Sequence, residues 1–171
     1  MEYKVGDLIE AAKSGEVNII AHGANCFCTM GSGIAPLIKR AFPAAYDADQ
    51  STIKGATAKL GTYTVGRDAD SSVVVYNLYS QHGFWGRNKG QRDLNYNALY
   101  DALDTMSKDI SLVCDLEEVR VGLPKIGSGL AGGSWHVIQA MIEDTFVKRG
   151  ITTTIYVLDA KEIPAGGVIN A

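Results

Sequence analysis

Residues 18–35 have the sequence Asn-Ile-Ile-Ala-His-Gly-Ala-Asn-Cys-Phe-Cys-Thr-Met-Gly-Ser-Gly-Ile-Ala, and this stretch decides the fold. Its first part is an apolar run, which is typical of a strand that is buried on both faces. A glycine-rich loop follows and leads directly into a predicted helix that begins near Gly33. Free backbone N–H groups at the positive end of a helix dipole attract phosphate. The stretch therefore predicts a pocket for the phosphate of a nucleotide.

A second stretch at residues 124–133, Pro-Lys-Ile-Gly-Ser-Gly-Leu-Ala-Gly-Gly, repeats this pattern. An apolar strand precedes it, and a helix is predicted to start around Ser134 and Trp135. The first loop fits neither the Walker pattern nor Gly-x-Gly-x-x-Gly, and taken alone it is equally well explained as a tight turn. Two such loops at neighbouring strand ends, however, could hold a diphosphate from both sides.

The composition is that of an ordinary folded chain. Its 171 residues fit one domain, and a domain of about 150 residues buries roughly 70% of its unfolded surface without disulfides or metals. The net charge of −3 argues against broad electrostatic binding to DNA or RNA, so an anionic ligand requires a local pocket. The three cysteines make no even disulfide framework, and no apolar leader or transmembrane run is present. These features predict a cytoplasmic protein without a membrane partner or direct nucleic-acid binding.

Strands and helices alternate along most of the chain. The predicted strands span 2–6, 17–21, 61–67, 72–78, 119–123 and 152–158. The predicted helices span 7–12, 34–42, 44–54, 93–108 and 134–148. This order predicts an α/β fold with a mixed, largely parallel sheet that is covered on both faces, a hairpin of the third and fourth strands, and ligand sites at the carboxyl ends of the strands. Pro43 is expected to end or kink the second helix, and the segment from Lys161 onward to be frayed.

Residues 79–92, Tyr-Ser-Gln-His-Gly-Phe-Trp-Gly-Arg-Asn-Lys-Gly-Gln-Arg, lack periodicity and mix aromatic, basic and glycine residues. In a compact domain, a loop of this length is usually functional or mobile. The sequence therefore marks this segment as a candidate part of the site.

Four motifs occur in order along the chain: His22-Gly-Ala-Asn-Cys26, Met30-Gly-Ser-Gly-Ile-Ala35, Asn95-Tyr-Asn-Ala-Leu99 and Pro124-Lys-Ile-Gly-Ser-Gly-Leu-Ala-Gly-Gly-Ser-Trp135. Together they resemble the macro domain, the module that binds ADP-ribose, and the likeness extends from Gly6 to Leu158. The chain most resembles the branch that contains ADP-ribose-1''-phosphate phosphatases and terminal ADP-ribose protein glycohydrolases. The resemblance implies a three-layer α/β/α macro-domain fold, with residues 1–171 as a single domain.

The resemblance also implies which residues hold ADP-ribose. Asp7 matches the aspartate that accepts a hydrogen bond from the adenine amino group, although capping of the first helix explains it equally well. Asn25 matches the asparagine that reaches the distal ribose. In both loops, small or missing side chains let the backbone approach the diphosphate. The implied ligand-binding residues are Asp7, Leu8, Asn25, Met30, Gly31, Ser32, Gly33, Ile34, Tyr79, Lys125, Ile126, Gly127, Ser128, Gly129, Leu130, Ala131 and Leu158.

His22 matches a histidine of the phosphatase-type members, where a neutral imidazole near the distal ribose could activate water. A satisfied core histidine is the plainer explanation for a lone histidine at a strand end. Asn25, Gln81 and His82 complete the predicted catalytic set, and Tyr79, Gln81 or His82 could close over the ribose. No metal or cofactor is predicted, because positioning a water against a neutralised phosphate can supply much of the rate.

Some positions depart from the hydrolytic patterns of the family. Glycohydrolases of the same branch use a lysine after the fourth strand and an acidic residue after the second Gly-x-Gly-Leu, where this chain has 80–82 (Ser-Gln-His) and Ala131. Another hydrolytic branch carries Gly-Gly-Gly-Val-Asp-Gly at the first loop, but Ala35 and Pro36 supply no aspartate. Cys26 and Cys28 have no second cysteine pair for zinc, and cysteine-based phosphatase chemistry would need an arginine-bearing phosphate loop.

The leading hypothesis is thus a macro domain that binds ADP-ribose and hydrolyses the terminal phosphate of ADP-ribose-1''-phosphate. One alternative is a non-catalytic module that binds ADP-ribose or a related signalling nucleotide. Another is a glycohydrolase that removes ADP-ribose from proteins. All three require the two glycine loops to share one crevice, with Ser32 and Ser128 on the same side of the molecule.

Overall fold

The computed structural model describes residues 1–170, so Ala171 of the predicted domain lies outside the described residues. The strands are β1 Glu2–Val5, β2 Ile19–Asn25, β3 Tyr63–Gly66, β4 Val74–Gln81, β5 Arg120–Leu123 and β6 Thr152–Val157. The helices are α1 Leu8–Lys13, α2 Ala35–Ala41, α3 Pro43–Gln50, α4 Tyr96–Val113 and α5 Trp135–Thr145. Short 3-10 turns span Thr57–Lys59, Gly86–Lys89, Val147–Arg149 and Ala160–Glu162.

The six strands form a sheet in the order β1-β6-β5-β2-β4-β3. All neighbours run parallel except β3 and β4, which are antiparallel and confirm the predicted hairpin. The predicted mixed, largely parallel sheet is therefore correct. β2 pairs with β5 on one side and β4 on the other, which places its carboxyl end in the middle of the edge where ligands bind in open α/β sheets.

Two apolar layers cover opposite faces of the sheet. One consists of α1, α2 and α3 and packs on Ile20 and Val75. The other consists of α4 and α5 and packs on Ala21 and Val121. Ile20 and Ala21 are adjacent in β2 and alternate between the two faces, as strand geometry requires. The arrangement is the predicted three-layer α/β/α fold. No helix within residues 1–170 is long and apolar enough to cross a membrane.

Several element boundaries differ from the prediction. β4 continues to Gln81, because its pairing with β2 resumes after a register shift that leaves Ser80 as an extra residue. α4 begins at Tyr96 instead of residue 93, because Asn95 caps it and accepts a hydrogen bond from the Ala98 N–H at 3.0 Å.

The prediction of a frayed carboxyl-terminal segment was wrong. The segment pairs with β1 at the edge of the sheet: the Tyr3 N–H donates to the Val168 carbonyl at 2.7 Å, and the Asn170 N–H donates to the Tyr3 carbonyl at 2.8 Å. Asp159 also caps the 3-10 turn of residues 160–162. Pairing between opposite ends of a chain leaves no local sequence pattern, which is why the sequence did not indicate this contact.

Candidate functional site

The two glycine loops lie side by side at the carboxyl ends of the parallel strands. The first connects β2 to α2, and the second connects β5 to α5. A Cβ atom built on Gly33 would lie 3.9 Å from the Leu130 side chain, so the loops approach each other closely. Ser32 and the residues on either side of Ser128 line one cleft, which is the arrangement that a shared phosphate crevice requires.

This cleft, the Asn25 cleft, has a volume of about 280 Å³. It is lined by His22, Gly23, Asn25, Thr29, Ser32, Gly33, Ile34, Ala35, Gln81, Phe84, Arg87, Asp93, Pro124, Lys125, Ile126, Gly127, Gly129, Leu130 and Ala131. A neighbouring cleft of about 340 Å³, the Asp7 cleft, is lined by Gly6, Asp7, Leu8, Ile9, Gly33, Ile34, Leu37, Pro124, Lys125, Tyr156, Val157, Leu158 and Glu162. The clefts share the walls Gly33, Ile34, Pro124 and Lys125, and together they form one two-part groove.

Unpaired backbone N–H groups occur where the two clefts meet. The N–H groups of 32–34 in the first loop and of Gly129 and Leu130 in the second donate no hydrogen bond to any group of residues 1–170. Backbone donors without a protein partner need water or a ligand, and a cluster of them forms a concavity that suits an anion. The junction of the two clefts can therefore receive a diphosphate.

Asp7 lies in its cleft at the amino end of α1. Its Oδ1 atom accepts hydrogen bonds from the Ile9 N–H at 2.7 Å and the Glu10 N–H at 3.1 Å, so the helix-capping explanation is correct. Oδ2 accepts no hydrogen bond within the described chain. One carboxylate can therefore cap the helix and still accept a hydrogen bond from an amino group in the cleft.

Tyr156 is a cleft residue that the sequence analysis missed. Its hydroxyl donates to Glu16 Oε1 at 2.6 Å, which fixes the ring in the wall of the Asp7 cleft. The predicted residue Leu158 lies in the same wall and is 79% exposed. Alternate residues of a strand point to the same side. The prediction of Leu158 therefore also indicated Tyr156, which lies two residues earlier.

Asn25 lines its cleft and also shapes the first loop. Its Nδ2 atom donates to the Thr29 carbonyl at 2.8 Å, and its Oδ1 atom accepts from the Phe27 N–H at 2.9 Å. The amide still has one free hydrogen and one free lone pair. Asn25 is thus an ordinary turn residue that retains the capacity to bind a hydroxyl.

His22 forms part of the floor of the Asn25 cleft but is only 1% exposed. Its Nε2 atom lies 2.7 Å from Asn77 Oδ1. The Asn77 amide group donates to the Ala45 carbonyl and to the Thr64 hydroxyl, so its oxygen faces the imidazole and Nε2 is the donor. Burial lowers the pKa of His22, which keeps the ring neutral, with Nδ1 unprotonated and without a partner within residues 1–170. The ring is thus a buried core histidine, as the plainer explanation predicted, but it is satisfied only at Nε2.

Of the three residues predicted to close over the ribose, only Gln81 lines the cleft. Tyr79 is 1% exposed, and its hydroxyl donates to Asp49 Oδ1 at 2.8 Å on the face covered by α3. His82 Nε2 lies 3.1 Å from the Gly55 carbonyl. Neither Tyr79 nor His82 lines a cleft, so their contact with a ligand stays a prediction. Strand alternation puts Tyr79 on the same face of β4 as Asn77, which turns its ring away from the groove.

Three further predicted residues lie outside both clefts. Met30 is buried against the layer of α1, α2 and α3. Gly31 lies at the tip of the first loop without lining the groove. Ser128 directs its hydroxyl to the Lys125 carbonyl at 2.8 Å, so only its neighbours face the cleft. The remaining predicted binding residues all line one cleft or the other.

The segment of residues 84–93 contributes three side chains that were not predicted individually: Phe84, Arg87 and Asp93 all line the Asn25 cleft. Asp93 accepts hydrogen bonds from the Gly86 N–H at 2.9 and 3.1 Å. The sequence predicted that most of this segment is functional or mobile, but no periodicity indicates which of its side chains face the groove. Within residues 1–170, no group of three or more His, Cys, Asp or Glu residues could hold a metal ion.

The sheet and the clefts define an α/β protein with a two-part groove between two glycine loops. A family model of the Macro domain matches residues 21–142, and the chain belongs to the macro domain family.

Three relatives align over most of this chain. A 17.5 kDa protein encoded in the tk-vs intergenic region of Enterobacteria phage T4 is 30% identical over 87% of this chain and 91% of its own length. The ADP-ribose 1''-phosphate phosphatase of Debaryomyces hansenii is 25% identical over 93% of this chain and 99% of its own length. The human ADP-ribose glycohydrolase OARD1 is 28% identical over 91% and 90% of the two chains.

Solved structures share the fold. A macrodomain protein from Streptomyces coelicolor is 28% identical, with a TM-score of 0.65 over 91% of this chain and 97% of that chain. Thermosipho africanus DarTG, solved in complex with ADP-ribose, is 17% identical, with a TM-score of 0.71 over 96% of this chain and 44% of that chain. These neighbours confirm the predicted macro-domain fold.

Proposed function

We propose that this macro domain binds ADP-ribose and hydrolyses the terminal phosphate of ADP-ribose-1''-phosphate. The observation that carries the proposal is the pair of clefts, of about 340 and 280 Å³, that meet at the unpaired N–H groups of the glycine loops. ADP-ribose has the same layout, because a diphosphate joins its adenosine to its distal ribose. The names of the yeast and human relatives support this choice of ligand.

In this proposal the adenine occupies the Asp7 cleft. The free Oδ2 atom of Asp7 accepts a hydrogen bond from the adenine amino group, while Tyr156 and Leu158 supply apolar contact area. The N–H groups of the two loops bind the diphosphate. Asn25 contacts the distal ribose with the free hydrogen and lone pair of its amide.

Hydrolysis requires a proton acceptor near the terminal phosphate, and two residues of the Asn25 cleft can serve. Asp93 lines this cleft, and its carboxyl group can accept the proton of a water. His22 offers the unprotonated Nδ1 atom, but this atom is covered, so direct contact with a water requires the floor to open. A water that gives its proton to one of them attacks phosphorus, and the bond between phosphorus and the C1'' oxygen breaks. The same proton then passes to the departing C1'' oxygen, and the products are inorganic phosphate and ADP-ribose.

The non-catalytic reader is the second candidate, and the covered imidazole of His22 is the observation that favours it. Glycohydrolysis by the branch mechanism has less support. Where the glycohydrolases have their catalytic lysine, this chain has residues 80–82, which include no lysine, and Ser80 is fully buried. Where they have their acidic residue, this chain has Ala131, which lines the cleft without a carboxyl group. A single domain over residues 1–171 and a cytoplasmic location remain predictions that accompany the proposal.

The test is release of phosphate from ADP-ribose-1''-phosphate, combined with calorimetric titration of ADP-ribose. We expect the wild-type protein to release phosphate, and Asp93→Asn to be slower by about 100-fold or more, the usual effect of removing a general base. Asparagine keeps an oxygen for the Gly86 N–H, so ADP-ribose binding should persist. Asp115→Asn, at an exposed position outside the groove, is the matched control.

Tight binding of ADP-ribose without phosphate release would identify the protein as a reader and overturn the catalytic half of the proposal. Absence of ADP-ribose binding would overturn all of it. Equal rates for the wild type and Asp93→Asn, with turnover present, would exclude Asp93 as the base and direct attention to His22.

A further inference from the structure

We propose that Arg87 forms a subsite for the phosphate on C1'' of the distal ribose, and that the groove therefore prefers terminally phosphorylated ADP-ribose to ADP-ribose itself. This inference rests on the proposed function, because it assumes that the distal ribose occupies the Asn25 cleft. It assigns a specificity role to a residue that neither the motifs nor the glycine loops include.

Arg87 lines the Asn25 cleft and does not reach the Asp7 cleft. Its side chain makes no hydrogen bond and no ion pair with any group in the described part of the chain. The other cation of this cleft, Lys125, lies at the junction and donates to the Glu162 carbonyl at 3.1 Å. Arg87 is therefore the uncommitted cation at the end of the groove where the distal ribose terminates.

The 3-10 turn that carries Arg87 is held in place without a ligand. The Gly86 N–H donates to the Asp93 carboxylate, and the Gly86 carbonyl accepts from the Gln91 N–H at 2.9 Å. A turn that is already ordered loses little conformational entropy when it binds, which favours affinity.

The same turn is tied to both glycine loops. The Trp85 ring packs at 5.1 Å from the ring of Phe27, which belongs to the first loop. The Asp93 N–H donates to the carbonyl of Ala131 in the second loop at 3.1 Å. The loops that position the diphosphate therefore also position Arg87. A residue that binds the terminal phosphate of the same ligand needs such a fixed position relative to the diphosphate.

The chemistry of the guanidinium matches a phosphate better than a hydroxyl. Arginine presents five N–H donors in a planar fork that suits two oxygens of one phosphate. The C1'' hydroxyl of ADP-ribose is neutral and offers one oxygen, so it gains little from this charge. Hydrogen bonds to charged groups strengthen binding by about 10- to 100-fold. We expect a preference of that size for the phosphorylated ligand.

The experiment compares Arg87→Gln with Lys89→Gln, a control in the same turn that lines neither cleft. Both are made in the Asp93→Asn background, in which hydrolysis of ADP-ribose-1''-phosphate should be about 100-fold slower. Both ligands are then titrated calorimetrically. Arg87→Gln should lower the ratio of the two affinities by about 10- to 100-fold while leaving ADP-ribose affinity unchanged. Lys89→Gln should keep the ratio of the parent protein.

An unchanged ratio in Arg87→Gln would overturn the inference while sparing the proposed function. Equal weakening of both ligands would also overturn it, since that result indicates a structural role for the turn. Should the parent protein bind neither ligand, the proposed function itself fails and takes the inference with it.

Discussion

Substitution of Gly129 by alanine separates ligand binding from folding. Gly129 lines the Asn25 cleft, and its N–H is one of the unpaired donors of the second loop. A Cβ atom added there meets no protein atom within 4 Å, and the backbone is not in the left-handed region. The new methyl group therefore strains nothing in the protein, but it occupies space through which the diphosphate would approach the loop.

The two effects have opposite signs. Replacing glycine by alanine at an unstrained position stabilises a protein by about 0.4–1 kcal/mol, because the unfolded chain loses freedom. Loss of one hydrogen bond to a charged group costs about 1.5–3 kcal/mol of binding free energy. At about 1.4 kcal/mol per factor of ten, Gly129→Ala should weaken ADP-ribose binding by about 10- to 150-fold. Its melting temperature should stay the same or rise slightly.

Gly15→Ala is the matched control, because it should lower the stability and leave the ADP-ribose affinity unchanged. Gly15 follows α1 with φ +79° and also has open space around its Cβ position. Alanine in the left-handed region costs about 1–2 kcal/mol, which lowers the melting temperature by a few degrees in a chain of about 150–250 residues. Its ADP-ribose affinity should equal that of the wild type, because Gly15 lies outside the groove.

Calorimetric titration of ADP-ribose and thermal unfolding of the free proteins together decide this prediction. Wild-type affinity in Gly129→Ala would refute the assignment of the second loop to the diphosphate. If Gly129→Ala and Gly15→Ala both lost ADP-ribose affinity in proportion to their loss of melting temperature, the separation of ligand binding from folding would be refuted.

Two further predictions concern the fold. In Gly66→Ala the new Cβ would lie 2.4 Å from the backbone of Ala44, which cannot move easily. We therefore expect the free energy of unfolding, measured in urea, to fall by about 3 kcal/mol. A fall of less than about 1 kcal/mol would contradict this expectation and show that α3 moves freely. Burial lowers the pKa of His22, so below about pH 6.5 the unfolded chain binds more protons than the folded chain. The free energy of unfolding should therefore fall as the pH drops below about 6.5, by up to about 1.36 kcal/mol per pH unit. His22→Gln should remove this slope between pH 6.5 and 5, and an equal slope in both proteins would refute the assignment.

The sequence was sufficient to predict the architecture and the position of the groove. Continuous apolar runs mark strands that are buried on both faces, and helical spacing marks the layers that cover them. Both glycine loops follow such runs, and strand order brings them together because β2 and β5 are neighbours. Local patterns were adequate here because each loop is specified by its own residues.

Features that depend on contacts between distant residues were not predictable in the same way. The register shift that leaves Ser80 as an extra residue extends β4 to Gln81, and no residue in that stretch signals the shift. Arg87 faces the groove because its turn is fixed by Asp93 and by Trp85 packing on the first loop. These contacts join segments that are separate in sequence, so periodicity carries no trace of them.

The pairing of the carboxyl-terminal segment with Tyr3 determines what the rim of β1 exposes to other molecules. An unpaired rim would display a row of donors and acceptors onto which a foreign strand can add, the usual starting point for sheet-mediated aggregation. By occupying those groups, residues 168–170 act as a built-in blocking strand. A shortened chain that ends before residue 168 would thus retain its groove but expose β1 as an edge strand that can pair with a second copy of the chain.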